Sequence, residues 1–454
     1  MICRRVFHRE VNVIQIVIPV LRTLACIILV AGTFCVHSSF GQQGKAERIK
    51  LHKKYVDEIA AIAEDPAVRS AFEIAEKTDP RTIQDLVLLT GIPAPPFKEE
   101  KRGEKFASML SEAGIDSVWT DGVGNVIGLR KGTVRKRAVM VDAHLDTVFP
   151  EETDVRVSTS GDTLKAPGIG DDTRGLAVLL AGLRAMNQSG IKTDADVLFA
   201  ATVGEEGLGD LRGVKHLFGS SGPKIDAHIA LDGVSIGGIV NSTVGSIRYR
   251  VTFSGPGGHS YGAFGLANPH NALAGTISRF VEEADIYTRA GIKTTYNIGV
   301  IGGGTSVNAV PFESWMEVDM RSESPERLKG LDDIFRNAVA KALDRENEIK
   351  RMGEDLTVDI RQVGDRPSGS IAEDSPLVQR TAASAALLGA VPLLGASSTN
   401  SNTPLALGIP SVTIGTGGKA GGAHSLDEWF LNEDGYLGVH HMLLVMLSEA
   451  GISK

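Results

Sequence analysis

Between Ser246 and Gly364 the hydrophobic pattern of the sequence differs from the pattern on either side. Inside this segment, strand-like runs and helical runs follow one another in the order β-α-β-β-α-β, with helices expected over 269–284 and 325–351. That order is typical of a four-stranded antiparallel sheet with two helices on one face, a unit that can fold as a separate domain. The sequence therefore predicts a domain over residues 245–363, inserted into a larger one.

The flanking sequence has the pattern of an α/β domain. Short apolar runs at 138–142, 197–203 and 229–231 are typical of buried strands, and 175–186 is typical of a buried helix. After the insertion, the pattern predicts a helix over 377–388 and a strand over 411–414. We therefore expect one α/β domain made of two parts, residues 42–244 and 364–454.

Composition excludes several classes of protein. The 454 residues include 55 acidic and 47 basic side chains, a formal net charge of -8, so there is no basic excess to attract nucleic acid. A hydrophobic content of 42% is too high for a disordered chain, and the 52 glycines follow no three-residue period, which excludes collagen.

The first 41 residues predict an export signal. Arginines at positions 4, 5, 9 and 22 precede the apolar run 24–36, and small polar residues at 37–41 resemble a cleavage region. The alternative is an uncleaved anchor that also includes 11–21, but Arg22 would then lie near the bilayer centre. We expect an exported protein, periplasmic or secreted, that contacts the membrane only if this leader is retained.

All three cysteines, Cys3, Cys26 and Cys35, lie in the leader. A chain cleaved near Gly41 therefore contains no cysteine. This excludes disulfides, a catalytic cysteine and zinc-thiolate sites from the mature protein.

Hard metal ligands follow the predicted strands or glycine-rich turns in five places. These are His144-Leu145-Asp146, Gly170-Asp171-Asp172, Glu205-Glu206, Asp232-Gly233 and His424-Ser425. Taken singly, each has an ordinary explanation, such as a loop histidine, a solvated pair of acids or an Asp-Gly turn. Together they would meet at one edge of the sheet, where a bound dication would offset the repulsion between carboxylates.

The ligand types narrow the choice of metal. Imidazole and carboxylate without thiolate suit zinc, with manganese or cobalt as substitutes, and more than four ligands allow two metals bridged by one carboxylate. In an extended His-Leu-Asp segment, His144 and Asp146 point to the same side. We therefore expect the Asp146 carboxylate to hold the His144 ring nitrogen that faces away from the metal.

Seven motifs resemble, in order and spacing, a family of two-zinc exopeptidases and amidohydrolases. They are VDAHLDTV, GIGDDTRG, VGEEGLG, ALDG, SGPGGHSYGAFGLANPHNA, GGTSVNAVPFESWMEVDMR and GGAHSLDEW. The family contains glutamate carboxypeptidase, aminoacylase, succinyl-diaminopimelate desuccinylase and tripeptide aminopeptidase (peptidase T). The resemblance runs from about Thr82 to the end of the chain. It implies a catalytic domain with a mixed sheet flanked by helices, and an inserted lid and dimerisation domain.

Carried over by position, the resemblance implies two Zn²⁺ per subunit. The implied ligands are His144, Asp171 and Asp232 for one zinc and Asp171, Glu206 and His424 for the other. Glu205 is then the general base that takes a proton from a water between the metals and passes it to the leaving amine. The resemblance also implies a cis peptide bond between Asp171 and Asp172.

Three residues of the inserted domain match substrate-binding positions of the family. His259 corresponds to a histidine that reaches the substrate oxyanion from a neighbouring subunit, so the resemblance implies a homodimer. Asn308 and Arg321 correspond to residues that bind substrate, and the Arg321 guanidinium suits a carboxylate. Without the motif order, the three would be a loop histidine, a strand-end cap and a surface charge.

Within the family, the sequence favours peptidase T-like members. Asp232 occupies a position that is Asp in aminopeptidases and dipeptidases and Glu in many carboxypeptidases and deacylases. Asn400 stands where relatives often have Asp, which puts strict tripeptide specificity in doubt. The leading hypothesis is an exopeptidase that cleaves short peptides from the amino end. A carboxypeptidase or N-acyl-amino-acid hydrolase is the alternative, and a non-catalytic peptide-binding relative ranks last because Glu205 and the ligands are present.

Overall fold

The computed structural model describes residues 47–453. The predicted export signal, residues 1–41, lies outside the described residues. Among the helices described, none has both the length and the apolar character needed to cross a membrane.

The described part of the chain forms both strands and helices. The strands are β1 (Glu47–Arg48), β2 (Ser117–Thr120), β3 (Val126–Arg130), β4 (Ala138–His144), β5 (Ser158–Ser160), β6 (Thr163–Lys165), β7 (Asp196–Thr202), β8 (Ala227–Leu231), β9 (Gly238–Thr243), β10 (Gly245–Ser254), β11 (Gly258–His259), β12 (Thr294–Gly303), β13 (Ala309–Val310), β14 (Glu313–Ser322), β15 (Thr357–Arg366), β16 (Leu393–Ser397), β17 (Ser411–Ile414), β18 (Lys419–Gly421) and β19 (Trp429–Leu431). The helices are α1 (Lys53–Ala63), α2 (Pro66–Lys77), α3 (Asp79–Thr90), α4 (Glu100–Glu112), α5 (Thr173–Ser189), α6 (Arg212–Leu217), α7 (Pro269–Thr288), α8 (Pro325–Ile349), α9 (Pro376–Leu387), α10 (Asn402–Ala406) and α11 (Tyr436–Ala450). One turn of 3₁₀ helix, Gly207–Gly209, follows β7.

A nine-stranded mixed sheet forms the centre of the larger domain. Its strand order is β1-β16-β9-β17-β8-β4-β7-β3-β2. β4 pairs in parallel with β7 and β8, and β8 pairs in parallel with β17. The carboxyl ends of these four strands therefore lie at one edge of the sheet, and three of the predicted ligand segments, 144–146, 205–206 and 232–233, lie at or just after the ends of β4, β7 and β8 there.

Both faces of this sheet are covered by helices. Val139 and Val141 of β4 share a buried cluster with Leu176 of α5 and Leu443 of α11. Met140, between those two valines, shares a different cluster with Leu217 of α6. Because successive side chains of a strand point to opposite faces, an almost continuous apolar strand packs helices on both sides.

The second sheet has four antiparallel strands in the order β12-β14-β10-β15. Alternate residues such as Val251 of β10 and Met316 of β14 are buried against α7 and α8, which supply Phe280 and Phe335. Every second residue of β14 is buried and the residues between are half-buried, as expected for a sheet with helices on one face. We call this unit, residues 245–366, the lid. The fold class predicted from the sequence is confirmed, including the order β-α-β-β-α-β.

The predicted elements correspond closely to those observed. The helix expected over 175–186 is α5, which runs from Thr173 to Ser189. It starts two residues earlier than expected because the Asp172 side chain accepts a hydrogen bond from the Gly175 amide at its amino end. Gly190, in the left-handed conformation at φ 74°, ends it.

Candidate metal centre

The Asp171 carboxylate lies between two histidine rings. Its Oδ1 is 3.1 Å from Nε2 of His144, and its Oδ2 is 3.1 Å from Nε2 of His424. His424 Nε2 also lies 2.8 Å from Oε1 of Glu206. The four residues therefore face one another through the atoms that coordinate metals.

Each of these residues is carried to the site by a different element. His144 ends β4, Asp171 lies two residues before the start of α5, and Glu206 follows β7. His424 lies in the loop between β18 and β19, which are paired strands of a small sheet that also contains β6. His424 has a φ of 63°, a left-handed conformation that is uncommon for residues other than glycine and is often found at functional sites.

Asp232 follows β8 directly, at the same edge of the sheet. Burial and the nearby charge of Asp171 raise the pKa of Asp232 well above its usual value, and Glu205 and Glu206 act in the same direction. The structure thus brings all five predicted ligands and the predicted base to one location.

Charges and distances at this location fit a bound cation. Ligand atoms of His144, Asp171 and Glu206 all lie within 4.8 Å of one another, close enough for the three side chains to belong to one metal centre. Buried carboxylates are stable in proteins when they are paired or coordinate a metal. The donors are imidazole and carboxylate, which suit zinc and its common substitutes.

The two histidines have strongly perturbed acidities. Burial lowers the pKa of His144, but hydrogen bonding to Asp171 and the charges of three aspartates outweigh this and raise it well above its usual value. Hydrogen bonds with Asp171 and Glu206 raise the pKa of His424 to about 11. Both rings therefore lie in a strongly negative potential, which also favours a cation.

The role expected for the Asp146 carboxylate is wrong. His144 Nδ1 lies 2.9 Å from the backbone oxygen of Asp146, whereas the Asp146 carboxylate is 3.8 Å away. That carboxylate instead accepts hydrogen bonds from the backbone amides of Glu205, at 2.9 Å, and Glu206, at 2.7 Å. Asp146 therefore fixes the His144 ring through its main chain and the Glu205-Glu206 segment through its side chain.

Glu205 is buried beside the cluster. Burial raises the pKa of its carboxyl, and the Arg366 guanidinium opposes this rise. Arg366 Nη1 donates to Glu205 Oε1 at 3.2 Å, and Nη2 donates to the Glu205 backbone oxygen.

Several supporting residues were missed by sequence reasoning. Glu428, which lies in the quoted GGAHSLDEW motif, accepts hydrogen bonds from the amides of Gly168, Gly170 and Asp171 at 2.7–3.0 Å. Burial and the charge of Asp171 raise the pKa of Glu428 to about 7. An acidic residue four positions after a ligand histidine was the available signal, but an acid in a loop is ordinarily solvated.

Two more supports hold the ends of β4 and α5. Arg102 is fully buried, and its guanidinium donates to the backbone oxygens of Ile92 and Leu145. The carboxylate of Asp172 accepts from the His144 amide at 3.0 Å as well as from Gly175. The peptide bond between Asp171 and Asp172 is cis, as expected from the resemblance.

The predicted substrate-binding residues of the lid differ from this buried cluster in their exposure and in their hydrogen-bond partners. His259, in β11, is exposed, and its Nδ1 accepts from the amides of Tyr261 and Gly262 at 3.3 Å. Asn308 is exposed next to β13, the partner of β11, and accepts from Ser306. Arg321 is 42% exposed, and its Nε donates to Asp319 at 2.6 Å. The hydrogen bonds named here all run to other lid residues.

Asn400 is buried, and its side-chain amide group donates two hydrogen bonds. Its amide nitrogen donates to Asp142 Oδ2 and to Thr202 Oγ1, both at 2.8 Å. The other oxygen of Asp142 faces His228 Nε2 at 2.9 Å, and His228 Nδ1 faces Ser411 Oγ at 2.7 Å. An amide fits this position because it donates to a buried carboxylate, which a second ionised carboxylate there would repel.

Comparison with known proteins places the chain in a family. The model of Peptidase family M20/M25/M40 matches residues 140–448. The protein YqjE of Bacillus subtilis is 25% identical over 357 residues, covering 74% of this chain and 90% of that protein.

A tripeptidase from Staphylococcus aureus has a similar structure, with a TM-score of 0.65 and 23% identity over 81% of this chain and 97% of that one. Aminopeptidase PepT from Bacillus cereus has a TM-score of 0.64 and 21% identity, covering 81% and 98%. With the family model spanning most of the chain and the candidate metal ligands clustered together, the chain belongs to Peptidase family M20/M25/M40 and is a metal-dependent hydrolase.

Proposed function

We propose that the protein is an exported exopeptidase that removes residues from the amino end of short peptides and works with two Zn²⁺ per subunit. The observation that carries this proposal is the placement of Asp171, whose two carboxylate oxygens face two different histidines. Two cations would have Asp171 as a common ligand, with His144 and Asp232 as further ligands of one and Glu206 and His424 as further ligands of the other. Co²⁺ or Mn²⁺ would substitute in the same donor set.

When bound, a pair of such cations supplies Lewis-acid chemistry, which makes water more acidic and polarises a carbonyl group. Glu205 is the proton acceptor in this proposal, because it is buried beside the ligands and its Oε1 is held by Arg366. The Oε2 atom is then available to take the proton and to deliver it to the departing amine. A raised pKa suits a group that must both accept and release a proton near neutral pH.

The lid supplies the remaining contacts in this proposal. His259 donates to the oxyanion, Asn308 binds the substrate backbone, and Arg321 binds a substrate carboxylate through the guanidinium nitrogens that Asp319 leaves free. His259 is exposed and is followed by Tyr261, which is 89% exposed. Phe264, Val307 and other exposed apolar residues of the same region support a protein contact there, so we propose a homodimer in which His259 acts on the partner's substrate.

Cleavage from the amino end rests on two considerations. The ligand at position 232 is Asp, as in aminopeptidases and dipeptidases of the family, and two structurally similar proteins are a tripeptidase and an aminopeptidase. Asn400 favours a different specificity. Its buried amide is hydrogen-bonded to Asp142 and Thr202, so no free anion at position 400 is available to bind a substrate amine. A carboxypeptidase or an N-acyl-amino-acid hydrolase with the same metal chemistry is therefore the second candidate.

The two candidates are separated by blocking the ends of the substrate. Free, N-acetylated and C-amidated di- and tripeptides are incubated with the zinc-loaded enzyme, and the products are identified by mass spectrometry. An aminopeptidase loses turnover on acetylation and keeps it on amidation, whereas a carboxypeptidase shows the reverse. Turnover of acetylated amino acids alone would identify an acyl-amino-acid hydrolase.

Export is tested separately from catalysis. The full chain is expressed with its own leader, the cell fractions are separated, and the amino-terminal sequence of the product is determined. A periplasmic or secreted product that begins near position 42 agrees with the proposal. A product that retains Met1 and stays with the membrane identifies the anchor alternative.

The dimer is tested by complementation. Glu205→Ala and His259→Ala chains, each inactive alone, are combined so that heterodimers form. The subunit that retains Glu205 then receives His259 from its neighbour, and one working site per heterodimer is restored. Heterodimers that form but remain inactive would contradict action across the interface, as would a fully active wild-type monomer.

A further inference from the structure

The last strand of the lid ends at a buried arginine that reaches into the catalytic domain. Arg366 closes β15 and is 5% exposed. Its guanidinium donates to the backbone oxygen of Glu205, to Glu205 Oε1 at 3.2 Å and to Ser398 Oγ at 2.9 Å. A planar guanidinium that holds both the main chain and the side chain of one residue restricts that residue's orientation.

Two further hydrogen bonds join the lid to the segment after Glu205. Arg248, in β10, donates through Nη1 to the backbone oxygen of Gly207 at 2.7 Å. The amide of Asp365, in β15, donates to Asp210 Oδ1 at 2.9 Å. β10 and β15 are neighbouring strands of the lid sheet, so residues 205–210 are attached to that sheet at three points.

The opposite side of the same segment is attached to the catalytic domain. The amides of Glu205 and Glu206 donate to the Asp146 carboxylate. The backbone of Glu205 therefore has its N–H bound by the catalytic domain and its C=O bound by the lid. Arg248 also binds Asp319 at 2.8 Å, and Asp319 binds Arg321, which extends the lid connection to a predicted substrate-binding residue.

We propose that Arg366 is a positioning residue that sets the orientation of Glu205 and ties it to the placement of the lid sheet. The proposal rests on the role of Glu205 as proton acceptor given above. Removing the guanidinium leaves a buried backbone oxygen without its donor and frees the Glu205 carboxylate to rotate away from the reacting water. Misplacement of a reacting group by about 1 Å lowers a rate by about a hundredfold.

The first test compares Arg366→Ala with Arg361→Ala, both zinc-loaded. Arg361 is an exposed arginine on the same strand and serves as the matched control. We expect kcat of Arg366→Ala to fall by about a hundredfold while KM stays within about twofold and zinc content is unchanged. Guanidinium at low millimolar concentration should restore part of kcat in Arg366→Ala and leave Arg361→Ala unaffected. A wild-type kcat in Arg366→Ala would overturn the proposal, and so would a loss confined to KM.

A second variant covers the case in which Arg366→Ala does not fold. Arg366→Lys keeps the charge but cannot bind the Glu205 backbone and carboxylate oxygens together. We expect it to fold, to load zinc normally and to show reduced kcat at unchanged KM. Wild-type kcat in Arg366→Lys would show that two-point attachment is unnecessary, and the proposal would be wrong.

A third measurement does not depend on any activity. Hydrogen exchange of the metal-free protein, followed by mass spectrometry, is compared in wild type, Arg366→Ala or Arg366→Lys, and Arg361→Ala. Peptides covering 204–211 should exchange at least about tenfold faster in the Arg366 variants only, because the attachment to the lid has been weakened. Unchanged exchange would overturn the positioning role. A wild-type enzyme that hydrolyses no peptide would instead refute the proposed function. The hydrogen-exchange comparison would still show whether Arg366 fixes the 204–211 segment.

Discussion

The metal-ligand cluster and the three lid residues differ in how complete they are within one chain. His144, Asp171, Glu206 and His424 meet directly, with donor atoms 2.8–3.1 Å apart. His259, Asn308 and Arg321 are exposed or half-exposed and bind only lid neighbours among the contacts described above. In the proposed function this difference separates two tasks: the ligands for metal come from one chain, whereas the contacts to the oxyanion and to the substrate ends are completed by the substrate and the partner subunit.

The largest expected effect distinguishes the roles of two neighbouring residues of the buried cluster, Glu205 and Glu206. Glu205→Gln should keep wild-type zinc content and lower kcat by about a thousandfold or more, because it removes the proton acceptor and no ligand. Glu206→Gln should lower zinc content as well. Metal analysis by mass spectrometry and steady-state kinetics check both variants. Equal zinc loss in the two variants would mean that their roles are wrongly assigned.

A second prediction sharpens the contrast between holding metal and stabilising the transition state. His259→Ala should lower kcat by about a hundredfold to a thousandfold, the usual effect of losing one oxyanion donor, with zinc content unchanged. His270→Ala is the control, since His270 is another exposed lid histidine, hydrogen-bonded to Ser314. Loss of zinc in His259→Ala would break the division between the two regions.

The third prediction concerns stability in acid, which we expect to depend on two buried histidines of the catalytic domain. Burial lowers the pKa of His440 and of His441, both in α11, to about 4, although a hydrogen bond to the Phe72 backbone opposes the shift at His440. In the unfolded chain these rings take up protons near their ordinary value of 6.5, whereas in the folded chain they stay neutral down to about 4. The unfolded state thus binds more protons at these two rings in this window, so their contribution to stability is complete above about pH 6.5 and is lost as pH falls towards 4.

The expected loss at pH 5 is on the order of 2 kcal/mol for each buried ring, which at that pH is protonated in the unfolded chain and neutral in the folded one. Urea unfolding of the metal-free protein at pH 7.5 and pH 5 measures it. His441→Gln should reduce the dependence on pH, while His270→Gln in the lid should leave it unchanged. Identical pH dependence in wild type and His441→Gln would contradict this account of acid sensitivity.

The smallest expected effect is on substrate capture by the lid. Arg321→Met should raise KM by about tenfold for peptides with a free carboxyl end and leave KM for C-amidated peptides unchanged, because one exposed charge-assisted hydrogen bond is removed. Steady-state kinetics on matched peptide pairs measure the change. An equal rise in KM for both kinds of peptide would show that Arg321 does not read the carboxylate.

Much of the fold follows from local pattern. The alternation in β10 and β14 and the helical spacing of α7 and α8 each identify an element without reference to distant residues, so the lid could be predicted strand by strand. The continuous apolar runs of β4, β7 and β8 likewise mark strands covered on both faces. Small errors at element ends arose where a side chain caps a helix, as Asp172 does for α5.

The candidate site could be predicted for residues whose type alone indicates metal binding. It could not be predicted for residues whose role depends on tertiary contacts. His144, Asp171 and His424 are recognisable as candidate ligands because histidines and acids recur after predicted strands or glycine-rich turns. The hydrogen bonds of Asp146 depend on where β7 places the Glu205-Glu206 amides, which are distant in sequence. Arg366 lies 161 positions from Glu205, and no local pattern distinguishes it from other strand-end arginines.

The position of β17 in the large sheet has a consequence for biosynthesis. β17 lies between β9 and β8, yet it is made after the whole lid. About 180 residues separate the end of β8 from the start of β17, so a ribosome working at about 5–20 residues per second leaves one edge of β8 unpaired for roughly 10–40 seconds. The lid, whose four strands are contiguous in the chain, can complete its own sheet during that interval. An apolar parallel strand with a free edge is a site for aggregation, so the nascent chain is most in need of protection before residue 411 is synthesised.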